Sequence, residues 1–231
     1  INQETIIVLD FGSQYTQLIA RHIREQAVYC EIHPYHLSIE KLRSINPKGI
    51  VFSGGPASVY ADSSPLPDHR IFELGIPILG ICYGMQLITF LSQNGKVHPA
   101  SKREFGSSDI SIDQQIELFS GLPKSFQVWM SHGDRASDLG DAFETIASTP
   151  TCPHTAVRHR DSGFRGIQFH PEVTSTVLLK RWHEADWAPW DQPGTQSRTE
   201  QQKLAPRHDP LICNWFSTLL DRLFPKALVN P

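Results

Sequence analysis

Cys82 stands in Gly80-Ile81-Cys82-Tyr83-Gly84, where an apolar run, "IPILGI" (76–81), gives way to a helix-like one, "YGMQLITFLSQNG" (83–95). Glycine two residues before the cysteine and two after it is the pattern of a strand-to-helix elbow. In such an elbow the nucleophile sits on a strained backbone, and its neighbours pack too closely for side chains. The corner also sets the thiol at a helix N-terminus, where free N–H groups favour an anion. A free thiol is only about 3% thiolate at neutral pH, so a helix end and a nearby imidazole would govern its reactivity. The plainer reading of the pentapeptide is a cysteine that fills a tight turn.

A second stretch, "GIQFHPEV" (166–173), supplies the imidazole. Pro171 biases His170 toward extended backbone. Continued extension would send His170 and Glu172 to the same side, because strand side chains alternate. Glu172 would then hold one ring nitrogen of His170 and leave the other to face a thiol, the nucleophile–base–orienter arrangement of a catalytic triad. Alone, His-Pro-Glu also reads as a solvated turn. The order nucleophile, histidine, acid differs from the nucleophile, acid, histidine order of the α/β-hydrolases. A third stretch, "VFSGGPASVY" (51–60), ends a strand in Ser53-Gly54-Gly55-Pro56, whose bare N–H groups suit a tetrahedral oxyanion. A phosphate-gripping loop is the competing reading, but the Gly-Lys-Ser/Thr ending of such loops is missing.

These groups need a scaffold, and the first half of the chain supplies a βαβα rhythm. "TIIVLD" (5–10), "YCEIHP" (29–34), "KGIVFSGG" (48–55) and "IPILGI" (76–81) read as strands. "SQYTQLIARHIREQ" (13–26), with Ser13 as N-cap, "DHRIFELG" (68–75) and "YGMQLITFLSQNG" (83–95) read as helices, the last two closed by a glycine. The rhythm predicts an α/β fold: an open, mostly parallel central sheet with helices on both faces. From about residue 96 strand-like pieces take over, "KVHPAS", "SDISI", "FQVWMSHG", "FETIAST", "HTAVRHR" and "FRGIQFH", and predict a small antiparallel extension of that sheet. Residues 4–187 form the expected domain and 188–208, rich in Pro, Gln, Ser and Thr, a loop or linker. Residues 209–231 carry an amphipathic helix that packs on the domain or docks a partner, with Asp209 as its N-cap and Pro210 at its first position.

Bulk properties exclude several classes. A chain of 231 residues, 39% hydrophobic and 19% charged, can fill one α/β domain, and a net charge of −3 gives no electrostatic attraction to nucleic acid or an anionic membrane. No apolar run reaches the length of a membrane span, and "INQETIIVLDFG" lacks the pattern of a secretory signal. The four cysteines, Cys30, Cys82, Cys152 and Cys213, are too scattered for a disulfide framework or a zinc site, so a cytoplasmic, reducing setting is expected. Cys30, Cys152 and Cys213 lack an elbow and are expected to be inert. His154 and His159 alternate on a strand-like run without acidic or cysteine partners at ligand spacing, so no metal is expected. Trp182, Trp187 and Trp190 are expected to pack the tail onto the domain.

Taken together, "VLDFGSQYTQLIARHIRE" (8–25), "GIVFSGGPASVY" (49–60), "GIPILGICYGMQL" (75–87), "KVHPASKREFG" (96–106), "VWMSHGD" (128–134) and "GIQFHPEV" (166–173) resemble the class I (triad) glutamine amidotransferases, and within them the glutaminase domains of GMP synthetases. The resemblance covers residues 4–174. It implies the flavodoxin-like fold of that class and hydrolysis of the glutamine side-chain amide through a γ-glutamyl thioester on Cys82, with His170 as base and acid and Glu172 orienting it. It further implies an oxyanion hole from the N–H groups of Gly54 and Tyr83, and glutamine contacts from Gln86, Ser131, His132, Gly133 and Asp134, with Asp134 on the α-ammonium. The plainer readings are that Asp134 is a turn residue before Arg135 and that Gln86 caps a neighbouring carbonyl. The Ser-Gly-Gly-Val-Asp-Ser loop of the ATP-pyrophosphatase domain is missing from the sequence, so the implied partner is a separate synthetase subunit that carries ATP and Mg and makes GMP from XMP. No cofactor is expected in this chain, and a homodimer stays open. The alternatives are a γ-glutamyl hydrolase on the same scaffold and a triad-bearing interaction module that is idle until a partner docks.

Overall fold

A computed structural model of the chain describes residues 4–92, 94–114 and 117–173. The linker 188–208, the helix expected within 209–231, Trp182, Trp187, Trp190 and Cys213 lie outside the described residues. Nine strands make one sheet in the order β2-β1-β3-β4-β9-β8-β7-β5-β6. The parallel half contains β1 (Thr5–Asp10), β2 (Tyr29–Pro34), β3 (Gly49–Phe52), β4 (Ile78–Ile81) and β9 (Phe164–Ile167). The antiparallel half contains β8 (Ala156–His159), β7 (Phe143–Ser148), β5 (Lys96–Ile112) and β6 (Ser125–Asp138). The extension is thus four strands wide, and it holds the two longest.

Buried parallel strands are apolar on both faces, and β1 follows that rule. Ile6 and Val8 enter one core with Ile19, Ala20 and Ile23 of α1 (Thr16–Glu25), while Ile7 and Leu9 enter the other. That second core takes Ile39 and Leu42 of α2 (Ile39–Ile45) and Leu87 and Ile88 of α3 (Tyr83–Phe90). Helices therefore cover both faces of the parallel half. From β1 the chain runs to β2 on one side and then to β3 on the other. The loops after β1 and β3 part at this switch point and open a crevice at the carboxyl ends of the strands.

Several local expectations are corrected. Ser13 does not cap α1, since Tyr15 holds the N-cap position and its own N–H donates to Ser13 Oγ. The chain turns tightly at Gly12, at φ +91°, whose N–H donates to Asp10 Oδ1, before the helix begins. The stretch 68–75 forms a five-residue 3-10 turn, His69–Glu73, capped by Asp68. α3 stops at Phe90 instead of running to Gly95. "KVHPAS" and "SDISI" are parts of one strand, β5, whose register against β6 shifts between Pro99 and Glu104. α2 was not anticipated, although Ser38 accepts the N–H of Lys41 and Asn46 ends the helix in the left-handed region.

Candidate active site

Cys82 links β4 to α3 with φ +52° and ψ −106°, a conformation disfavoured for any residue with a side chain. Its N–H donates to Ile167 O at 2.8 Å, which ties the corner to β9. The flanking glycines are steric requirements. A Cβ on Gly80 would lie 2.5 Å from the carbonyl of Gly84, and one on Gly84 would lie 2.5 Å from Phe52 O of β3. The elbow therefore folds flat over its neighbouring strand, and the thiol faces the crevice. It donates to Ser131 O at 3.6 Å.

His170 is 5% exposed and reaches the sulfur from the segment after β9. Its N–H donates to Trp129 O at 2.9 Å, and its ring meets Tyr15 edge-on at 5.5 Å. Nδ1 contacts Glu172 Oε1 at 2.8 Å, and the Cys82 sulfur lies near enough to the ring to act on its charge. Burial alone would disfavour a charged ring. The Glu172 carboxylate and the Cys82 sulfur outweigh it and push the His170 pKa up to about 10. Glu172 is fully buried. The pair does not arise from strand alternation as expected: β9 ends at Ile167, and Val173 N–H donates to His170 O, so residues 170–173 turn. The turn, not the pleat, brings the carboxylate back to the ring.

Gly54 closes the site from β3. A Cβ there would lie 3.2 Å from His170 Cε1, close enough to press on the ring, and 3.7 Å from Cys82 Cβ, an ordinary contact. The Ser53 hydroxyl accepts from Phe11 N–H and donates to Gly54 O, fixing this turn. Among the described residues, the N–H groups of Gly54 and Tyr83 have no hydrogen-bond acceptor. Two free donors beside a thiol suit a carbonyl oxygen that gains charge.

The crevice has a volume of about 1070 Å³ and runs from Cys82 and His170 past Gln86 to Ser131–Asp134, with Ser58, Tyr60 and Arg103 at its rim. Asp134 is clamped: Ser58 Oγ donates to Oδ2 at 2.5 Å and Tyr60 OH to Oδ1 at 2.9 Å. Gln86 Nε2 donates to Asp134 O at 2.8 Å and to Gln168 Oε1 at 3.2 Å. Ser131 presents its carbonyl to the sulfur, and the Cβ position of Gly133 has only ordinary contacts with Arg103. The His132 side chain is 1% exposed, with Nδ1 on Asp134 O and Nε2 3.0 Å from Glu104 Oε2. Its ring thus braces the Asp134 stretch of β6 from behind.

Glu104, His132 and Cys152 bring their ligand-type atoms within 4.8 Å of one another. Ordinary contacts hold these groups: His132 Nδ1 is 3.0 Å from Asp134 O, and the Thr151 hydroxyl donates to Glu104 Oε1 at 2.6 Å. Burial pushes the Cys152 thiol up to about 11 and raises that of Cys30. His154 and His159 do not converge: His154 Nδ1 meets the Thr145 hydroxyl, and His159 Nδ1 accepts from Asp161 and Ser162 N–H. Sequence reasoning missed Ser58, Tyr60, Glu104 and Gln168. Only the proximity of Gln168 to the His-Pro-Glu stretch was available as a signal.

The family model "Glutamine amidotransferase class-I" matches residues 7–186. The chain belongs to the class-I glutamine amidotransferases. It is 52% identical over 180 residues to a glutamine-hydrolysing GMP synthase of Desulfotalea psychrophila, covering 77% of this chain and 35% of the relative. It is 53% identical over 176 residues to the enzyme of the same name from Caldanaerobacter subterraneus, covering 76% and 34%. The chain thus spans about a third of the length of these relatives. Among solved structures, a Thermoplasma acidophilum protein provisionally described as one subunit of a GMP synthase superposes with a TM-score of 0.69 at 25% identity, over 96% of this chain and 94% of that one. A glutamine amidotransferase of Thermotoga maritima shares the fold with a TM-score of 0.78 at 18% identity, over 96% and 98%. Among the described residues, no helix is long and apolar enough to cross a membrane.

Proposed function

We propose that this amidotransferase hydrolyses the side-chain amide of glutamine on Cys82 and passes the ammonia to a separate ATP-pyrophosphatase subunit that converts XMP to GMP. The observation that carries the reading is the meeting of three groups: a strained, glycine-flanked cysteine, the imidazole of His170, and a buried carboxylate 2.8 Å from its far nitrogen. The identity of about one half to glutamine-hydrolysing GMP synthases supports the choice of acceptor.

The chemistry follows from the geometry. Cys82 and His170 share one proton; with it on the ring, the sulfur attacks the amide carbon of glutamine as the thiolate. The charge that builds on the carbonyl oxygen is met by the N–H groups of Gly54 and Tyr83, and the loss of one such donor typically costs about 10²–10³ in rate. His170 delivers its proton to the amide nitrogen, the C–N bond breaks and ammonia leaves, with the glutamyl group held as a thioester. Water then adds to the thioester with His170 as base, glutamate departs, and the thiol is restored. Glu172 holds the ring in one tautomer throughout. Asp134 takes the substrate α-ammonium, with Gln86 and the 131–133 backbone around the rest of the amino acid. ATP and Mg serve the acceptor subunit, and the unpaired thiols of Cys30, Cys82 and Cys152 suit a reducing cytosol.

Glutamate release from glutamine by the full chain, alone and with added ATP-pyrophosphatase subunit, tests the reading. Release by the wild type and its loss in Cys82→Ala are expected. Turnover of γ-glutamyl peptides but not of glutamine would overturn it, as would glutamine turnover that survives Cys82→Ala.

A further inference from the structure

Gln168 leaves β9 between two apolar residues and has no exposed surface. Its N–H donates to Thr155 O at 2.8 Å, which fixes this stretch of backbone. Its side chain bridges two groups of the crevice: Nε2 donates to Cys82 Sγ at 3.4 Å, and Oε1 accepts from Gln86 Nε2 at 3.2 Å. The direction of that amide is determined by its surroundings. Gln86 Nε2 also donates to the carbonyl of Asp134, which can only accept, so the nitrogen end of Gln86 must face Gln168. Gln168 therefore turns its oxygen to Gln86 and its nitrogen to the sulfur.

The second polar contact of the sulfur works in the opposite sense. Ser131 O is an acceptor, and it stabilises the S–H form of Cys82. Gln168 is a fixed neutral donor that gains strength once the sulfur carries charge, because hydrogen bonds to ions are about twice as strong as those between neutral groups. The titratable groups around the sulfur are His170 and Glu172 from the segment after β9, Tyr15 from the loop after β1, and His132 and Asp134 from β6. Lys102 and Arg103 of β5 and Tyr60 from the loop after β3 line the same crevice, and α3 adds no titratable side chain to its lining.

We propose that Gln168 is a catalytic residue: its carboxamide N–H holds the Cys82 sulfur as the thiolate, and Gln86 is the positioning residue that aims it. The proposal rests on Cys82 being the nucleophile of the glutaminase reading. The proton of the sulfur goes to His170, and the N–H bonds of Gln168 stay intact. When the thioester forms, the sulfur loses its charge and the hydrogen bond weakens, so the donor favours return of the thiolate on deacylation. Ser131 O opposes it at each stage.

The test is the rate of Cys82 alkylation by iodoacetamide in the full chain, followed by peptide mass mapping from pH 7 to pH 10. At pH 7 Gln168→Leu is expected to react about tenfold to a hundredfold more slowly than wild type, the worth of a hydrogen bond to a charged group, with the gap narrowing toward pH 10. Gln168→Glu, equal in length, is expected to be slower still, since it sets a carboxylate against the sulfur. Glutamine kcat should fall in both while KM stays near its wild-type value. Equal alkylation rates at pH 7 in wild type and folded Gln168→Leu overturn the proposal. If Gln168→Leu loses its cooperative melt, Gln168→Glu decides alone, and a rate equal to wild type overturns the proposal. A wild type whose alkylation depends on Gln168 but which releases no glutamate sustains this assignment and removes the glutaminase reading instead.

Discussion

At the scale of single residues, the site is a set of groups that each tolerate little change. Gly84→Ala would drive a methyl group into backbone of β3, and no flexible side chain is there to yield. A loss of about 3 kcal/mol or more is expected, read as a lower urea midpoint. His170 carries a second expectation. Because Glu172 and Cys82 raise its pKa to about 10, the folded protein holds this proton more tightly than the unfolded chain does. The resulting stability is complete below the ordinary histidine value and is lost as pH rises toward the folded one. The thermal midpoint should therefore fall between pH 7 and pH 10, and His170→Gln should flatten that slope. Cys82, Gly80, Gly84 and His170 were legible in the sequence because an elbow leaves a steric signature in residue type. Gln168 was not, since a glutamine between Ile167 and Phe169 reads as the polar face of any strand until the sulfur is seen beside it.

Among the elements, turns proved harder to read than strands. The apolar runs of β1, β3 and β4 admit one structure when buried on both faces, and their positions were found to within three residues. The turn at 170–173 was read as extended because Pro171 restricts only the residue before it and leaves the later backbone free to fold back. α2 escaped because seven residues are too few for a convincing helical period, although Ser38 and Asn46 bracket it with cap chemistry. The loop after β3 has a role that a composition reading does not show: it sends Ser58 and Tyr60 across to the carboxylate of Asp134 on β6. Removing either hydroxyl should let that carboxylate swing. Ser58→Ala and Tyr60→Phe are expected to raise the glutamine KM about five- to tenfold with kcat nearly unchanged, each having lost one hydrogen bond to a charged group, as steady-state kinetics would report.

Across the whole molecule, one sheet joins two halves of different character. Two apolar cores flank the sheet in both halves, but β3 and β4 are buried at every position and β1 at all but its last, whereas β6 is the outermost of the described strands, pairs with β5 and is partly exposed along its length. Hydrogen exchange should follow this division: amides of β1, β3 and β4 should open only with global unfolding, and those at the Pro99–Glu104 register shift should exchange much sooner. The nucleophile thus belongs to the rigid half, and Asp134, on β6 opposite the register shift, to the more pliant one. Asp134, tethered by two hydroxyls from the rigid side, then acts as the fixed end of a gauge whose other end is the sulfur. An amino acid gripped by its head must have a tail of matching reach. Asparagine, one methylene shorter, should fall short of Cys82 and be turned over about 10- to 200-fold less efficiently than glutamine, and loosening the gauge at Ser58 should narrow that margin.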